Sequence, residues 1–293
     1  MDCPAAWVIP NNATIPTMKA CMKTARIISN FLVNSRYNIL YSQPPHMRFT
    51  LLHEFGLYGT LLYQAMRSSL ESTPYRMNLF QEFVKIGYES IPIILLTGVF
   101  TGAVMTIQTA YQLGNAFIAS SIIGSIVTQS LLIELSAVIS SLVLAGKVGA
   151  RIATELGTMR VSEQIDALES MGLNSVSFLV VPRILAGMLM FPVLYVVAAA
   201  TGLTGGLLTG VLTDTLPAFE FMKGARMFFF PWDVLFGMIK SIVFGFIITS
   251  ISCYKGYYAT GGAEGVGQST TQATVLSCMY ILVADFVLAS LLL

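Results

Sequence analysis

Long apolar stretches alternate with short polar ones along most of this chain. Five of the apolar stretches hold about 20 residues each, which is the length a helix needs to cross a hydrocarbon core of roughly 30 Å. The pattern therefore predicts five transmembrane helices, near residues 91–112, 122–146, 178–201, 232–253 and 272–292.

The residues before the first predicted span follow a different pattern. Residues 49–67 are mostly apolar but include Glu54, Gln64 and Arg67, so this stretch is too polar to cross a bilayer. It favours an interfacial helix that lies along the membrane surface. Residues 1–47 form a variable N-terminal segment to which the sequence assigns no role. The predicted fold class is an all-α polytopic membrane protein.

Basic residues in the loops predict the orientation. Eight Lys and Arg residues precede the first span, the 113–121 loop has none, and residues 147–183 carry four. Loops rich in Lys and Arg remain in the cytoplasm. The N-terminus and the 147–183 region are therefore predicted to be cytoplasmic, while the C-terminus is predicted to lie on the opposite side.

Charge is concentrated in one short region. The chain has 55% hydrophobic residues and only 16 basic and 15 acidic residues in 293, yet seven of these charges fall within residues 147–169, here called the charged segment. Apolar residues at helical spacing, including Ile152, Leu156 and Ile165, predict one or two short amphipathic helices broken near Gly157. The alternative is a solvated loop that only connects two spans, but such a loop needs no apolar stripe. An apolar stripe with charged residues on the opposite face is what docking of a soluble partner requires.

Three ionisable residues fall well away from the ends of the predicted spans. Glu134, Lys240 and Asp285 each interrupt an apolar run. An ionised group at the bilayer centre costs about 2.5–3.5 kcal/mol on insertion scales. These residues either pair with one another for structure or line a polar substrate path, and the sequence does not say which of them meet.

Small residues recur at intervals of four in two spans. Gly98 and Gly102 form one such pair, and Gly202, Gly206 and Gly210 form a second series. Faces of this kind let helices approach closely, within one chain or between two.

Several functional classes are not indicated by any motif. The sequence has no phosphate-binding P-loop, no HExxH or GxSxG pattern and no metal-ligand spacing among its cysteines and histidines. No catalytic residue, metal site, cofactor or nucleic-acid partner is therefore predicted. Any work that needs energy is expected to draw on another chain.

Two stretches carry a resemblance to a known family. The segments "AGKVGARIATELGTMRVSEQIDAL" (145–168) and "PWDVLFGMIKSIVFGFIITSISCYKGYYATGGAEGVGQSTT" (231–271) closely resemble the MlaE-type permease subunits of ABC phospholipid (Mce-associated) transporters. The resemblance covers roughly residues 50–293, so it implies a permease domain over 48–293 with a cytoplasmic coupling helix at about 149–172. Relatives often carry a proline after the Glu-Leu of the second span, where this chain has Ser136 and Ala137.

The resemblance implies a function, partners and site residues. It implies a non-enzymatic permease subunit in a bacterial inner membrane, which moves phospholipids between inner and outer membranes. The implied assembly is a homodimer with a lipid cavity beneath a periplasmic Mce-domain protein, driven by a separate ABC ATPase. The residues implied to line the cavity are Leu113, Phe117, Glu134 and Leu135, and those implied to face the ATPase are Glu155, Arg160, Glu163 and Asp166.

Three other functions are compatible with the residues. The same machine is suited to another hydrophobic compound, such as a sterol or an organic solvent. An intramembrane enzyme that uses Glu134 and Asp285 requires the two acids to lie within hydrogen-bond reach of each other. A membrane scaffold without transport activity would not need the charged segment.

Overall fold

The computed structural model describes residues 47–69, 76–113 and 121–292, and this part of the chain is helical without β-strands. Residues from Tyr58 onward form one compact unit, and the first turns of the first helix belong to a separate unit. The helices are α1 (Met47–Ser69), α2 (Arg76–Ile86), α3 (Ile91–Leu113), α4 (Ser121–Ser130), α5 (Ser136–Leu144), α6 (Ala150–Val161), α7 (Gln164–Ser170), α8 (Ser175–Leu212), α9 (Ala218–Met227), α10 (Pro231–Tyr257) and α11 (Gly262–Leu292).

Three short irregular turns join consecutive helices, and the chain remains helical through each of them. A 3₁₀ turn at Tyr88–Ser90 connects α2 to α3. Two π-helical turns, Leu131–Leu135 and Ala145–Gly149, connect α4 to α5 and α5 to α6. A π turn widens the helix locally and is frequent at functional sites. Helices α4, α5 and α6 therefore form one continuous helical segment from Ser121 to Val161 that contains two π turns.

Within the described residues, five continuous helical segments are long and apolar enough to cross a membrane, which confirms the predicted number of spans. Each reaches beyond its predicted bounds, because the helix continues into the polar residues at its ends. They are called the first to fifth spans, in the order Asn78–Leu113, Ser121–Val161, Ser175–Leu212, Pro231–Tyr257 and Gly262–Leu292.

Helix α1 confirms that the stretch before the first span is helical. Within the compact unit, Leu61 and Ala65 are buried, and the hydroxyl groups of Tyr58 and Ser250 lie 2.8 Å apart. These contacts hold α1 against α10. Its position along a membrane surface remains a prediction.

The charged segment differs from the prediction in one respect. Helix α6 runs unbroken through Gly157, and the break falls at Ser162 and Glu163, where Glu163 has a φ of 59°. The reason lies in packing: a Cβ on Gly157 would be 3.1 Å from the side chain of Val266. Gly157 thus permits close contact with α11 and does not end the helix. The predicted coupling helix is in fact the end of the second span followed by α7.

The two predicted small-residue faces meet each other inside the chain. A Cβ on Gly102 would overlap the carbonyl group of Gly202, and one on Gly98 would overlap the side chain of Thr201. Backbone of α3 therefore lies directly against backbone of α8. Only glycine permits this approach.

The Gly102–Gly202 contact predicts a strong effect of one methyl group. Gly102→Ala should destabilise the protein by about 1–3 kcal/mol, since backbone cannot yield to the added atom. The control is Gly267→Ala in α11, where a Cβ would meet no atom within 4 Å. There, alanine should stabilise the helix by about 0.5–1 kcal/mol. Thermal unfolding in detergent measures both changes, and equal melting temperatures for the two variants would contradict the packing.

The end of the charged segment is held by one carboxylate. Glu169 Oε1 accepts hydrogen bonds from the Ser175 hydroxyl at 2.7 Å and the Tyr257 hydroxyl at 3.0 Å. These two bonds lower the pKa of Glu169 below its ordinary value. The contact ties α7 to the start of α8 and the end of α10.

The lowered pKa of Glu169 predicts a pH-dependent stability. Because the folded-state pKa lies below the unfolded one, the stabilisation is present above the ordinary carboxyl pKa and is lost as pH falls through the folded value. Glu169→Gln should therefore have a lower melting temperature than wild type at pH 7, and the gap should narrow as the pH falls into the acid range. A gap that is independent of pH would show that the charge of Glu169 contributes nothing.

Candidate functional site

Glu134, Lys240 and Asp285 meet in one cluster, here called the ion triad. Lys240 Nζ lies 2.8 Å from Glu134 Oε2 and 2.6 Å from Asp285 Oδ1. Glu134 comes from the second span, Lys240 from the fourth and Asp285 from the fifth. Of the two possibilities that the sequence leaves open, mutual pairing is therefore present.

Burial differs sharply within the ion triad. The side chain of Lys240 is 0% exposed, that of Asp285 15% and that of Glu134 41%. Lys240 Nζ also lies 4.7 Å from the centre of the Phe236 ring, at cation–π distance. A buried ammonium thus has two carboxylates and an aromatic face around it, and Glu134 is the member that remains accessible.

The local backbone explains how Glu134 is presented. It belongs to the π turn Leu131–Leu135, in which main-chain hydrogen bonding is irregular. The hydroxyl of Tyr195, a fully buried side chain, donates a 2.8 Å hydrogen bond to the Leu132 carbonyl oxygen. Relatives often carry a proline directly after this turn, where this chain has Ser136 and Ala137. In this chain the irregular backbone is a π turn, and Tyr195 from α8 donates to one of its carbonyl groups. The sequence does not reveal this contact, because Tyr195 lies 63 positions away.

The predicted cavity residues are only partly brought together. Leu113 and Leu135 both pack, half-buried, against one hydrophobic cluster formed by Ile123, Val127, Leu131, Leu216 and Phe221. Leu135 also lines a narrow pocket with hydroxyl groups of Thr97, Thr101, Ser136 and Ser140. Glu134 belongs to neither group, and Phe117 lies outside the described residues.

The charged segment has the two faces that its sequence predicts. Ile152, Leu156 and Ile165 are buried, so this stripe fastens α6 and α7 to the spans. On the other side, Glu163 and Asp166 are exposed, and Asp166 pairs with Arg160 at 2.6 Å. The result is a surface with alternating charge at the turn between α6 and α7.

Glu155 lies apart from the other three residues that the resemblance assigns to the ATPase-facing side. Its two carboxylate oxygens are occupied within the chain, one by Arg151 Nε at 2.9 Å and the other by Arg183 Nη2 at 3.0 Å. The Arg151–Glu155 pair follows from helical spacing, since the two residues lie four positions apart, whereas Arg183 comes from another span. Its position inside a long apolar helix was the signal that it needs buried partners.

More acidic residues extend this group into what is here called the ion network. Glu82 Oε1 lies 3.5 Å from Arg183 Nε, and Glu89 Oε2 lies 2.6 Å from Arg151 Nη1. Lys147 donates a hydrogen bond to the Glu89 carbonyl oxygen. The ion network therefore joins the start of the first span, the end of the second and the start of the third.

Comparisons with known proteins agree with this architecture. Residues 79–291 match the family model described as Permease MlaE. A probable ABC transporter permease protein of Rickettsia bellii is 37% identical over 241 residues, which cover 82% of this chain and 93% of that protein. The Arabidopsis thaliana protein TRIGALACTOSYLDIACYLGLYCEROL 1, chloroplastic, is 40% identical over 213 residues, which cover 73% of this chain and 61% of that protein.

A further relative carries a more specific name. The intermembrane phospholipid transport system permease protein MlaE of Haemophilus influenzae is 31% identical over 238 residues, which cover 81% of this chain and 91% of that protein. The family match includes the ion triad, the charged segment and almost all of the five spans. This multi-pass membrane protein therefore belongs to the MlaE permease family.

Proposed function

We propose that this chain is the transmembrane permease subunit of an ABC-type transporter that moves phospholipids between inner and outer membranes. A separate ATPase docks on the charged segment and supplies the energy. The observation that carries the proposal is the two-faced charged segment: a buried stripe fixes it to the spans, while Glu163 and the Arg160–Asp166 pair lie at the surface. The relatives named as ABC transporter permeases support an ATPase partner.

Docking at the charged segment has a simple physical basis. Glu163 and Asp166 stand at the turn between α6 and α7, and Arg160 beside them offers the opposite charge. Mixed charges at a rim select a partner with the complementary pattern and speed its association. Since Glu155 is bound to Arg151 and Arg183, the docking surface consists of Arg160, Glu163 and Asp166.

A phospholipid fits the chemistry of the candidate site. Ligand sites are mostly apolar with a few well-placed polar groups, which suits acyl chains and a charged head group. Leu113 and Leu135 pack against the same apolar cluster. Glu134, which shares the π turn with Leu135, is the accessible charged group. The name of the Haemophilus influenzae relative supports the same substrate class.

The proposed assembly is a homodimer in a bacterial inner membrane. Large apolar side chains remain exposed along the first and fifth spans, for example Phe100 and Phe286, so these spans offer surface to lipid and to a second copy. The distribution of Lys and Arg supports a cytoplasmic position for the charged segment, on the side proposed for the ATPase. A periplasmic Mce-domain protein is the proposed partner on the opposite side.

Purification in mild detergent tests the proposal as a whole. A tagged chain should bring an ABC ATPase, an Mce-domain protein and phospholipid, all identified by mass spectrometry. Co-purification of a sterol or another hydrophobic compound in place of phospholipid would contradict the substrate assignment. A chain that arrives alone and without lipid would contradict the transporter.

Charge reversal tests the docking surface. Glu163→Lys with Asp166→Lys should weaken ATPase binding by at least about tenfold, or 1.4 kcal/mol, because like charges then face the partner. Expression and membrane insertion should not change. Asp214→Lys is a matched control, since Asp214 is also acidic, exposed and at positive φ, but lies beyond the other end of the third span. Normal ATPase co-purification with the double variant would rule out this surface.

Replacement of Glu134 tests the ion triad. Glu134→Leu should reduce phospholipid transfer between reconstituted vesicles and yet leave assembly intact, because Lys240 keeps Asp285 at 2.6 Å. Lys240→Leu should instead destabilise the protein by about 3–5 kcal/mol, since it leaves two carboxylates without their cation. Normal transfer by Glu134→Leu would assign Glu134 a structural role only.

A further inference from the structure

Arg183 occupies an unusual position for an arginine. It lies in the first turns of α8 and is only 5% exposed. Its guanidinium contacts two carboxylates from two other spans: Glu155 at 3.0 Å and Glu82 at 3.5 Å. Nη2 donates a hydrogen bond to Glu155, whereas Nε approaches Glu82 only at ion-pair distance, so the guanidinium lies between the two acids and bridges them by charge.

The ion network continues from Glu155 to the first span by a second route. Glu155 also binds Arg151 at 2.9 Å, and Arg151 binds Glu89 at 2.6 Å. Glu82 precedes the 3₁₀ turn of the first span, and Glu89 lies within it. Helix α6 is thus connected to the first span at two places: before that turn, through Arg183 and Glu82, and within it, directly through Arg151 and Glu89.

Stability alone does not account for a buried ion network. Apolar residues of similar volume often replace buried ion pairs without loss of stability, because desolvation offsets the attraction. Helix α6 is also already fastened by the buried side chains of Ile152 and Leu156. Apolar contacts do not fix the relative orientation of two helices as strictly as charge-assisted hydrogen bonds do. Such bonds join Arg151 to Glu155 and Glu89, and Arg183 to Glu155.

Helix α6 also has a wide turn at its start. The π turn Ala145–Gly149 separates α6 from the membrane part of the second span. A Cβ on Gly146 in this turn would meet no atom within 4 Å, so the turn has free space beside it. A displacement of α6 can therefore be taken up in part by this turn within the second span. The ion network instead links such a displacement to the first and third spans.

We infer that Arg183 is the positioning residue through which displacement of the charged segment reaches the first and third spans. Glu155 is its partner on α6, and Glu82 is its partner on α2. This role rests on the proposed function, since it presumes an ATPase that moves the charged segment. It assigns Glu155 to transmission inside the permease and not to the surface that the ATPase touches.

The complete transporter, reconstituted in phosphatidylethanolamine and phosphatidylglycerol vesicles, provides the test. Arg183→Gln should keep the ATPase bound and hydrolysing ATP, but the lipid transferred per ATP should fall about tenfold, a typical size for coupling between sites. Arg183→Lys should give an intermediate ratio, because lysine keeps the positive charge but lacks the planar guanidinium that reaches two acids. Lys85→Gln is the control: Lys85 lies 3.8 Å from the same Glu82, but it is in the same helix and its side chain is 36% exposed, so the ratio should equal that of wild type.

The ratio separates transmission from simple structural support. A purely structural arginine would lower the amount of folded complex and leave the lipid transferred per ATP unchanged, so an unchanged ratio in Arg183→Gln overturns the inference. Loss of ATPase binding in Arg183→Gln, with normal binding in Lys85→Gln, would also overturn it, because the network would then serve docking. Failure of the proposed function is distinct, since it appears in the wild-type complex as absent ATPase or absent transfer.

A second measurement tests the physical link without any partner. Spin labels at the exposed positions 80 and 158 report the distance between α2 and α6 in the isolated chain, in a background without other cysteines. The distance distribution should broaden in Arg183→Gln and remain as in wild type in Lys85→Gln. Identical distributions in all three proteins would show that Arg183 does not hold the two helices together.

Discussion

The cost of an unpaired charge in hydrocarbon governs the arrangement of these spans. Lys240 is completely buried, and an ammonium in that position is tolerated only beside counter-charges. Its partners come from two other spans, Glu134 from the second and Asp285 from the fifth. The second and fifth spans must therefore both contact the fourth at the same depth. Apolar packing and close glycine contacts complete the bundle, but neither selects one register as strictly as a single cation with two fixed acids.

Much of the fold was predictable because a membrane imposes simple rules. Hydropathy predicts the number of spans, and helical spacing predicts the buried stripe of Ile152, Leu156 and Ile165. The break in the charged segment was predicted wrongly at Gly157, because a glycine that ends a helix and a glycine that admits a neighbouring helix look alike in sequence. The pairing of Lys240 with Glu134 and the contact of Glu155 with Arg183 were out of reach, since they join residues 106 and 28 positions apart.

The second span connects the two groups of charges along one rod. Glu134 lies in its first π turn, and Arg151 and Glu155 follow its second. At 1.5 Å per residue, the nine residues of α5 between the two π turns form about 14 Å of regular helix. A displacement of α6 is therefore either absorbed at Ala145–Gly149 or passed along α5 to the turn that carries Glu134. The ion network opposes the first route by fixing α6 to the first and third spans, so the spans respond together.

A triad suits an exchange of partners better than a pair does. If Lys240 had one carboxylate, release of that acid toward a ligand would leave a buried charge uncompensated, which costs about 3–5 kcal/mol. With Asp285 at 2.6 Å and only 15% exposed, Lys240 keeps a partner when Glu134 departs. Glu134 is at once the most accessible acid and the one on an irregular turn. The geometry therefore makes Glu134 the member of the ion triad whose exchange with a ligand disturbs the bundle least.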